Sequence, residues 1–312
     1  MARFWNTHNI HRLVLTNAID FLTYFYLHAA RLPLCLLQWA TQTATFLFIA
    51  FQLNKIIAHT TIRYWLCLLF FAAFLFAPQM GLIWLWGYLI QQTMTPFFYI
   101  LALFLLGYDD LKPRRDGIIA TLAILCSLSS FNGLLIWPSI ILLLLLGRAP
   151  WRAVMFYAAL GAITMGVYAY HIGNLDQVVY SVTIFERLRY FLTFIGSMFS
   201  VQIINRGIKM GIIIVVVNLG LWLWFLFTKS LSLNQRRQLL PWLGMGIMTY
   251  GSAILGSIGR IENGLTQAMS DRYLPLSSPL WIGSLVVLLV LLYQVKTLYK
   301  NRRHFSHDVI VL

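Results

Sequence analysis

Residues 211–228 read GIIIVVVNLGLWLWFLFT and contain no charged side chain. A helix that crosses the hydrocarbon core of a bilayer needs about 20 predominantly apolar residues, so this segment predicts a transmembrane helix. Four more segments of similar length and composition, 34–53, 153–171, 239–258 and 276–295, support the same prediction.

Shorter apolar segments bring the number of predicted spans to nine. They cover 64–78, 94–108, 116–129 and 133–147. The last two are joined by the polar sequence SSFNG at 129–133, which predicts a helical hairpin with a tight turn. We therefore predict an all-α, polytopic integral membrane bundle, with its transmembrane part over 34–295 in a single membrane domain.

The composition excludes most soluble classes of protein. Hydrophobic residues make up 60% of the chain, charged residues make up 10%, and the mean hydropathy is +0.77. A soluble domain carries about 25% charged residues. The sequence contains no GxSxG, HExxH, P-loop or dinucleotide-binding motif, which disfavours hydrolases, zinc proteases and nucleotidases.

The basic residues predict the orientation of the bundle. There are 23 Lys and Arg against nine Asp and Glu, and many of the cations lie in short loops between apolar segments. This pattern follows the positive-inside rule, so we predict membrane lipids and no nucleic acid as partners. The loops predicted to be cytoplasmic contain Lys112 to Arg115, Arg148 to Arg152, Lys229 to Arg237, and the tail 296–312. The predicted location is a bacterial inner membrane.

Two segments are predicted to lie at the external face without crossing the membrane. The orientation places 172–210 outside, so 190–205 is predicted to be a re-entrant or interfacial segment. Residues 1–33 mix charges with aromatic side chains and lack the pattern of a signal peptide, which predicts an external interfacial helix. Because a chain that begins outside is hard to translocate, we expect one further span upstream of Met1.

The acidic residues disfavour an ion-coupled transporter. None of the nine lies in the middle of a predicted span, whereas such transporters carry an ionisable residue near the membrane centre. Asp20 follows a polar stretch that contains His8 and His11. This stretch is either a membrane-surface anchor or a water-accessible acid with imidazoles suited to general-base chemistry.

Two further external clusters admit two interpretations each. Arg260 and Arg272 predict either a phosphate clamp or internal pairing, of Arg260 with Glu262 or of Asp271 with Arg272. The segment 77–92 predicts either an aromatic belt or a surface on which a sugar ring stacks. In a fourth cluster, residues 132–138 are most simply a turn and a helix start.

The order of these motifs resembles that of bacterial polytopic membrane proteins of the GT-C glycosyltransferase type. The resemblance rests on Trp5-Asn6-Thr7-His8, Pro78-Gln79 through Trp86-Gly87, Asn132-Gly133 through Trp137-Pro138, and Arg260, Gly264, Gln267-Ala268 and Arg272-Tyr273. Two features depart from the pattern. Thr7 stands where an acid is expected, and the chain begins where a first span and much of its following loop should already have ended.

The resemblance implies sugar transfer from a polyprenyl-phosphate-linked donor to an envelope glycan or lipid acceptor. It implies Asp20 as the catalytic base, assisted by His8 and His11. It implies substrate-binding roles for Arg12, Gln79, Trp84, Trp86, Asn132, Arg260, Gln267, Arg272 and Tyr273. No cofactor is predicted. A divalent metal is compatible with the class, but no carboxylate cluster predicts one. The alternatives are a transporter or flippase of lipid-linked sugars, and a non-catalytic, truncated relative that acts as a membrane partner.

Overall fold

The computed structural model describes residues 14–27, 31–170, 182–200 and 203–308. Over these ranges the chain is helical and contains no β-strand, which confirms the all-α prediction. His8, His11 and Arg12 lie outside the described residues.

The helices follow one another with short connections. In chain order the α-helices are α1 (Val14–Leu27), α2 (Arg31–Asn54), α3 (Ile62–Leu75), α4 (Gly81–Leu85), α5 (Gln91–Leu105), α6 (Pro113–Ser129), α7 (Ile136–Leu146), α8 (Trp151–Ala169), α9 (Ile184–Ile195), α10 (Ile204–Phe227), α11 (Leu233–Gly259) and α12 (Leu274–Asp308). Short 3-10 helices cover Pro78–Met80, Gly87–Ile90, Phe131–Leu135, Ser197–Phe199, Ile261–Asn263, Leu265–Met269 and Asp271–Tyr273.

Six helical segments of the described chain are long and apolar enough to cross a membrane. They are Leu32–Asn54, Ile62–Met80, Trp151–Ala169, Ile204–Phe227, Leu233–Gly259 and Asp271–Val295. Each corresponds to a predicted span. The other three predicted spans form α5, α6 and α7, with 15, 17 and 11 residues, which are short for a crossing of about 20. The molecule is thus an all-α membrane protein, with six of the nine predicted spans supported by helix length.

The predicted segment 190–205 is divided between two helices. Its first part ends α9 at Ile195, and its last residues already belong to α10, which begins at Ile204 rather than at residue 211. α9 begins with a capping box, in which Thr183 and Glu186 bond reciprocally to each other's backbone N–H groups. It packs against α10 and α11.

The centre of the bundle is built around α11. Its span is 67% buried, and that of α12 is 61% buried, whereas those of α8 and α10 are 28% buried and lie at the periphery. The Tyr99 hydroxyl of α5 lies within hydrogen-bonding distance of the Ser139 hydroxyl, at 2.7 Å, and of the Gly244 carbonyl, at 3.0 Å, and its single O–H is shared between them. This fully buried phenol therefore joins α5, α7 and α11.

The basic loops meet at one end of the bundle, here called the basic face. The Arg237 guanidinium donates to the carbonyls of Gly147 and Tyr108, each at 3.1 Å, which joins the ends of α5, α7 and α11. The Ser230 hydroxyl donates to Gln294 at 3.3 Å and brings α12 to the same end. The predicted grouping of these loops on one side is therefore seen in the structure. The end that contains residues 76–90, 130–135 and 260–273 is called the opposite face.

A buried carboxylate stabilises the basic face. Asp116 of α6 accepts hydrogen bonds from the Tyr157 hydroxyl at 2.8 Å and from the Lys112 backbone N–H, and it pairs with Arg115 at 3.3 Å. Arg115 also pairs with Asp109, which is half exposed. Because every partner of Asp116 is a donor, the buried charge is compensated.

Candidate functional site

A cavity of about 350 Å³ lies at the opposite face. Three separate segments form it, namely the chain after α3, the turn after α9, and the loop between α11 and α12. Its lining consists of Pro78, Gln79, Gly81, Ser197, Ser200, Met269, Asp271 and Leu274. Gln79 was predicted as a binding residue and does line this cavity.

Asp271 places a carboxylate in the cavity. The segment Asp271–Tyr273 packs against α4 and against Pro78–Met80, which brings Asp271 and Gln79 to the same cavity. Within the described ranges, Asp271 takes part in no ion pair, so the interpretation of Asp271 as a partner of Arg272 does not hold. Asp271 is not among the catalytic residues predicted from the sequence.

A cluster of two arginines, two tyrosines and one glutamine is formed by α9 and by the loop between α11 and α12, which also carries Asp271. It comprises Tyr190, Arg260, Gln267, Arg272 and Tyr273, and we call it the arginine–tyrosine cluster. The Arg272 guanidinium lies over the Tyr273 ring, 5.1 Å from its centroid. The Gln267 side chain donates to the Tyr273 hydroxyl at 3.2 Å. Tyr273 therefore contacts both Arg272 and Gln267, two other residues of this loop motif in the cluster.

Tyr190 is the part of this cluster that the sequence analysis missed. It is fully buried on α9, and its ring lies 3.1 Å from where a Cβ on Gly256 of α11 would stand. Burial raises the pKa of Tyr190, the neighbouring Tyr273 raises it further, and the positive charges of Arg260 and Arg272 lower it. The phenol is therefore a neutral hydrogen-bond donor close to two guanidinium groups.

Two polar groups of the cluster lack hydrogen-bond partners. The Tyr190 hydroxyl and the Arg272 Nε are buried, and neither has a partner in the described structure. Leaving a buried donor unpaired costs about 1–3 kcal/mol, so a bound acceptor would relieve that cost. An oxyanion such as a phosphate group accepts hydrogen bonds from both guanidinium and phenol groups. The arrangement is suited to binding a phosphate.

Asp20 occupies a different part of the same region. It is half-buried on α1, which packs against α6 and against Gly87–Ile90. Thr16, one helical turn earlier on the same side of α1, is buried and its hydroxyl has no partner. The helix of Asp20 contacts Gly87–Ile90, whereas the segment of Arg272 contacts Pro78–Met80 and α4. Asp20 is not among the residues that line the cavity.

The aromatic residues of the opposite face are largely used within the protein. Trp84 is only 9% exposed, because its ring stacks on Trp39 at 4.6 Å and lies 6.1 Å from Phe76. Its faces are therefore occupied, which favours the aromatic-belt interpretation over sugar stacking for this residue. Trp86 is 54% exposed.

Asn132 belongs to the α6–α7 hairpin. It is half-buried in the 3-10 helix Phe131–Leu135 that closes the turn. A Cβ on Gly133 would stand 1.8 Å from the Cys126 carbonyl oxygen, so only glycine fits there. The indole N–H of Trp137 donates to the Ser127 hydroxyl at 3.0 Å. These contacts agree with the interpretation of 132–138 as a turn and a helix start.

In the ranges that the structure describes, no group of three or more His, Cys, Asp or Glu side chains is arranged to hold a metal ion. No family model, no curated protein and no solved structure matches this chain.

Proposed function

We propose that this protein transfers a sugar from a polyprenyl-phosphate-linked donor to an envelope glycan or lipid acceptor. One observation carries the proposal. A carboxylate in a membrane-face cavity, Asp271, directly precedes Arg272, which belongs to a cluster with unpaired buried donors. In the proposal Asp271 acts as the base and Arg272 binds the phosphate, and glycosyl transfer from a lipid phosphate requires both groups.

The proposed step is a single displacement at the anomeric carbon. The acceptor hydroxyl gives its proton to the Asp271 carboxylate while its oxygen forms a bond to the anomeric carbon. The bond between that carbon and the phosphate oxygen breaks, and its electron pair remains on the phosphate. Arg272, Arg260 and the Tyr190 hydroxyl stabilise the phosphate as it leaves. The products are a glycoside and polyprenyl phosphate, and the acquired proton returns from Asp271 to water.

Asp20 is the competing candidate for the base. The resemblance implies this role for Asp20, with His8 and His11 assisting it. The position of Asp271 in the cavity favours Asp271 as the base. The order of the sequence motifs that resemble the GT-C type favours Asp20. In the proposal Gln79 positions a sugar hydroxyl, because its side chain lines the cavity next to Asp271.

The membrane topology that accompanies this function has nine spans. α5, α6 and α7 complete the crossings as short helices inside the bundle, and α9 lies at the membrane surface. The exposed side chains of Ile184, Phe185 and Leu188 on α9 suit contact with lipid. The basic face lies in the cytoplasm of a bacterial cell, together with the C-terminus, and the cavity opens outside.

Transport of lipid-linked sugars is the second candidate function, and it is favoured by the presence of cavities at both faces. The interior amides argue against a polar path between them. Gln42 donates to the Leu75 carbonyl at 2.8 Å, and Gln38 pairs with the backbone of Ile83 and Ile90. These polar groups stabilise helix ends and are not free to line a conduit.

The proposal is tested with the full chain in proteoliposomes that contain a polyprenyl-phosphate sugar labelled in the sugar. We expect label in an added glycan or lipid acceptor, with release of one polyprenyl phosphate for each sugar transferred. Arg272→Gln should weaken donor binding and slow transfer, whereas Asp110→Asn, at the exposed basic face, should not. Movement of label across the membrane without acceptor would instead support transport. Absence of transfer with every donor tried would contradict the proposal.

A further inference from the structure

A second and larger cavity, of about 830 Å³, lies at the basic face. It is formed by the connection between α2 and α3 on one side and by α11 and α12 on the other. We call it the basic-face cavity. It lies at the other end of the bundle from Asp271 and Arg272, so it plays no part in the proposed transfer.

The polar lining of the basic-face cavity carries positive charge and hydrogen-bond donors. Lys55 and Arg63 contribute two cations, and no carboxylate is among the lining residues. Gln235 and Gln294 also line the cavity. The side-chain oxygen of Gln235 accepts a hydrogen bond from the Ser232 N–H at 2.9 Å. The side-chain oxygen of Gln294 accepts one from the Ser230 hydroxyl at 3.3 Å. Their amide NH₂ groups remain as donors, so the lining is suited to an anion.

The rest of the lining is apolar and continues onto the lipid-facing surface. Ile57, Leu239, Leu289 and Val290 form apolar walls. Ile62, which also lines the cavity, is 71% exposed, and Leu66 and Leu69 extend the exposed apolar surface along α3. Since α3 crosses the membrane, this surface is in contact with acyl chains. A ligand that fits both parts has an anionic head and an apolar tail.

We propose that the basic-face cavity binds an anionic phospholipid, with its phosphate between Lys55 and Arg63 and its acyl chains along α3. The location supports this occupant, because the basic ends of membrane helices lie at the level of the lipid headgroups. The Lys55 ammonium lies 4.6 Å from the Phe51 ring centroid, which holds the charge near the cavity mouth. The inference does not depend on the proposed glycosyl transfer.

The test uses the full chain in neutral detergent and native mass spectrometry of lipid binding. Phosphatidylglycerol is compared with phosphatidylcholine, and inorganic phosphate is added as a competitor. The double variant Lys55→Gln/Arg63→Gln should bind phosphatidylglycerol about thirtyfold more weakly. The matched control, Arg206→Gln/Lys209→Gln, removes two exposed cations at the opposite face and should leave the affinity within about twofold.

A third variant separates a built site from general attraction to the basic face. Ile57→Trp fills part of the cavity and leaves both cations in place, so it should weaken phosphatidylglycerol binding without changing phosphatidylcholine binding. Thermal unfolding checks that each variant remains folded. Equal loss in the two double variants, or full binding by Ile57→Trp, would overturn the proposal. Competition by millimolar inorganic phosphate would show that the headgroup anion suffices and would also contradict a lipid site.

Discussion

The Gln267 side chain donates a hydrogen bond of 3.2 Å to the Tyr273 hydroxyl and thereby joins the middle of the loop that carries Asp271 to its C-terminal end. The Tyr273 ring in turn lies 5.3 Å from the ring of Phe194 on α9. Because α9 also carries Tyr190, and because Arg272 lies over the Tyr273 ring, the contact with Phe194 brings Arg272 to the helix of the buried phenol. A short loop between two long helices is thus attached to a third helix, and the arginine–tyrosine cluster forms at that attachment.

Gly264 should be necessary for the shape of this loop. Its φ of 81° and ψ of 169° lie in a region that is essentially restricted to glycine, so Gly264→Ala should cost about 1–3 kcal/mol. We expect lower thermal stability and weaker donor binding, since the strain acts on the segment that holds Arg272. Gly166→Ala is the control, because a Cβ there meets no atom within 4 Å. Unchanged donor binding in Gly264→Ala would contradict this role.

Removing the Tyr190 hydroxyl should affect binding and stability in opposite directions. The group is buried without a partner, so Tyr190→Phe should leave the thermal stability unchanged or raise it, while weakening binding of the phosphate-linked donor. Tyr99→Phe removes a buried hydroxyl that donates to Ser139 and Gly244, and it should destabilise the protein by about 1–2 kcal/mol. Thermal unfolding and donor-binding titrations measure the two effects. A loss of stability in Tyr190→Phe with normal donor binding would show a purely structural role.

The α6–α7 hairpin should depend on Gly133. A methyl group at this position would overlap the Cys126 carbonyl, so Gly133→Ala should destabilise the protein by about 1–3 kcal/mol. Gly117→Ala, in the preceding helix α6, is a matched control, because its Cβ meets open space and the change removes a flexible residue from a helix. We expect that control to stabilise the protein slightly. Equal unfolding temperatures for the two variants would contradict the geometry of the turn.

The two acids that contact Arg115 should differ in their effect on stability. Asp116 is buried and accepts three donors, so Asp116→Asn should cost several kcal/mol. The pKa of Asp109 is lowered by Arg115 and Lys112, but Asp109 is half exposed, so its contribution is below about 1 kcal/mol. Because the pKa of Asp109 is lower in the folded than in the unfolded protein, its ionised form stabilises the fold. This contribution is fully present above the unfolded-state pKa of about 3.9, and it is lost as the pH falls below that value.

Urea unfolding at pH 7 and pH 3 measures this difference. Wild type should lose a small amount of stability at pH 3 that Asp109→Asn does not lose. Equal destabilisation by Asp109→Asn and Asp116→Asn at pH 7 would show that burial does not determine the strength of these contacts.

The sequence was sufficient to predict the class of fold, because the length of an apolar segment can be read from consecutive residues alone. The segment 211–228 predicts a crossing by itself, and the structure extends the same helix back to Ile204. The short helices were harder to predict as spans. An eleven-residue helix such as α7 is too short to indicate a crossing by its length, and its burial comes from neighbouring helices. Whether it crosses the membrane depends on its tertiary contacts, which the sequence does not contain.

The candidate site was predictable only where its residues lie close in the chain. Arg272, Tyr273 and Gln267 fall within one loop, and the sequence placed them together. Tyr190 lies about eighty residues away on a helix predicted only as part of a membrane-surface segment, and no local signal connects it to Arg272. Asp271 was visible, but among the alternatives that the sequence left open it entered only as a possible ion-pair partner of Arg272. Only the packing of the loop against Pro78–Met80 places its carboxylate in a cavity.

The most direct measurement compares the rate of sugar transfer by Asp271→Asn with the rates of wild type and Asp20→Asn, using the same lipid-linked donor in the same proteoliposomes. A positioned general base contributes about 10²–10⁴-fold to a rate. We predict a loss of at least about a hundredfold in kcat for Asp271→Asn, with unchanged thermal stability and donor affinity, and a much smaller loss for Asp20→Asn. Full activity of Asp271→Asn, with activity abolished in Asp20→Asn, would contradict the cavity as the site of transfer.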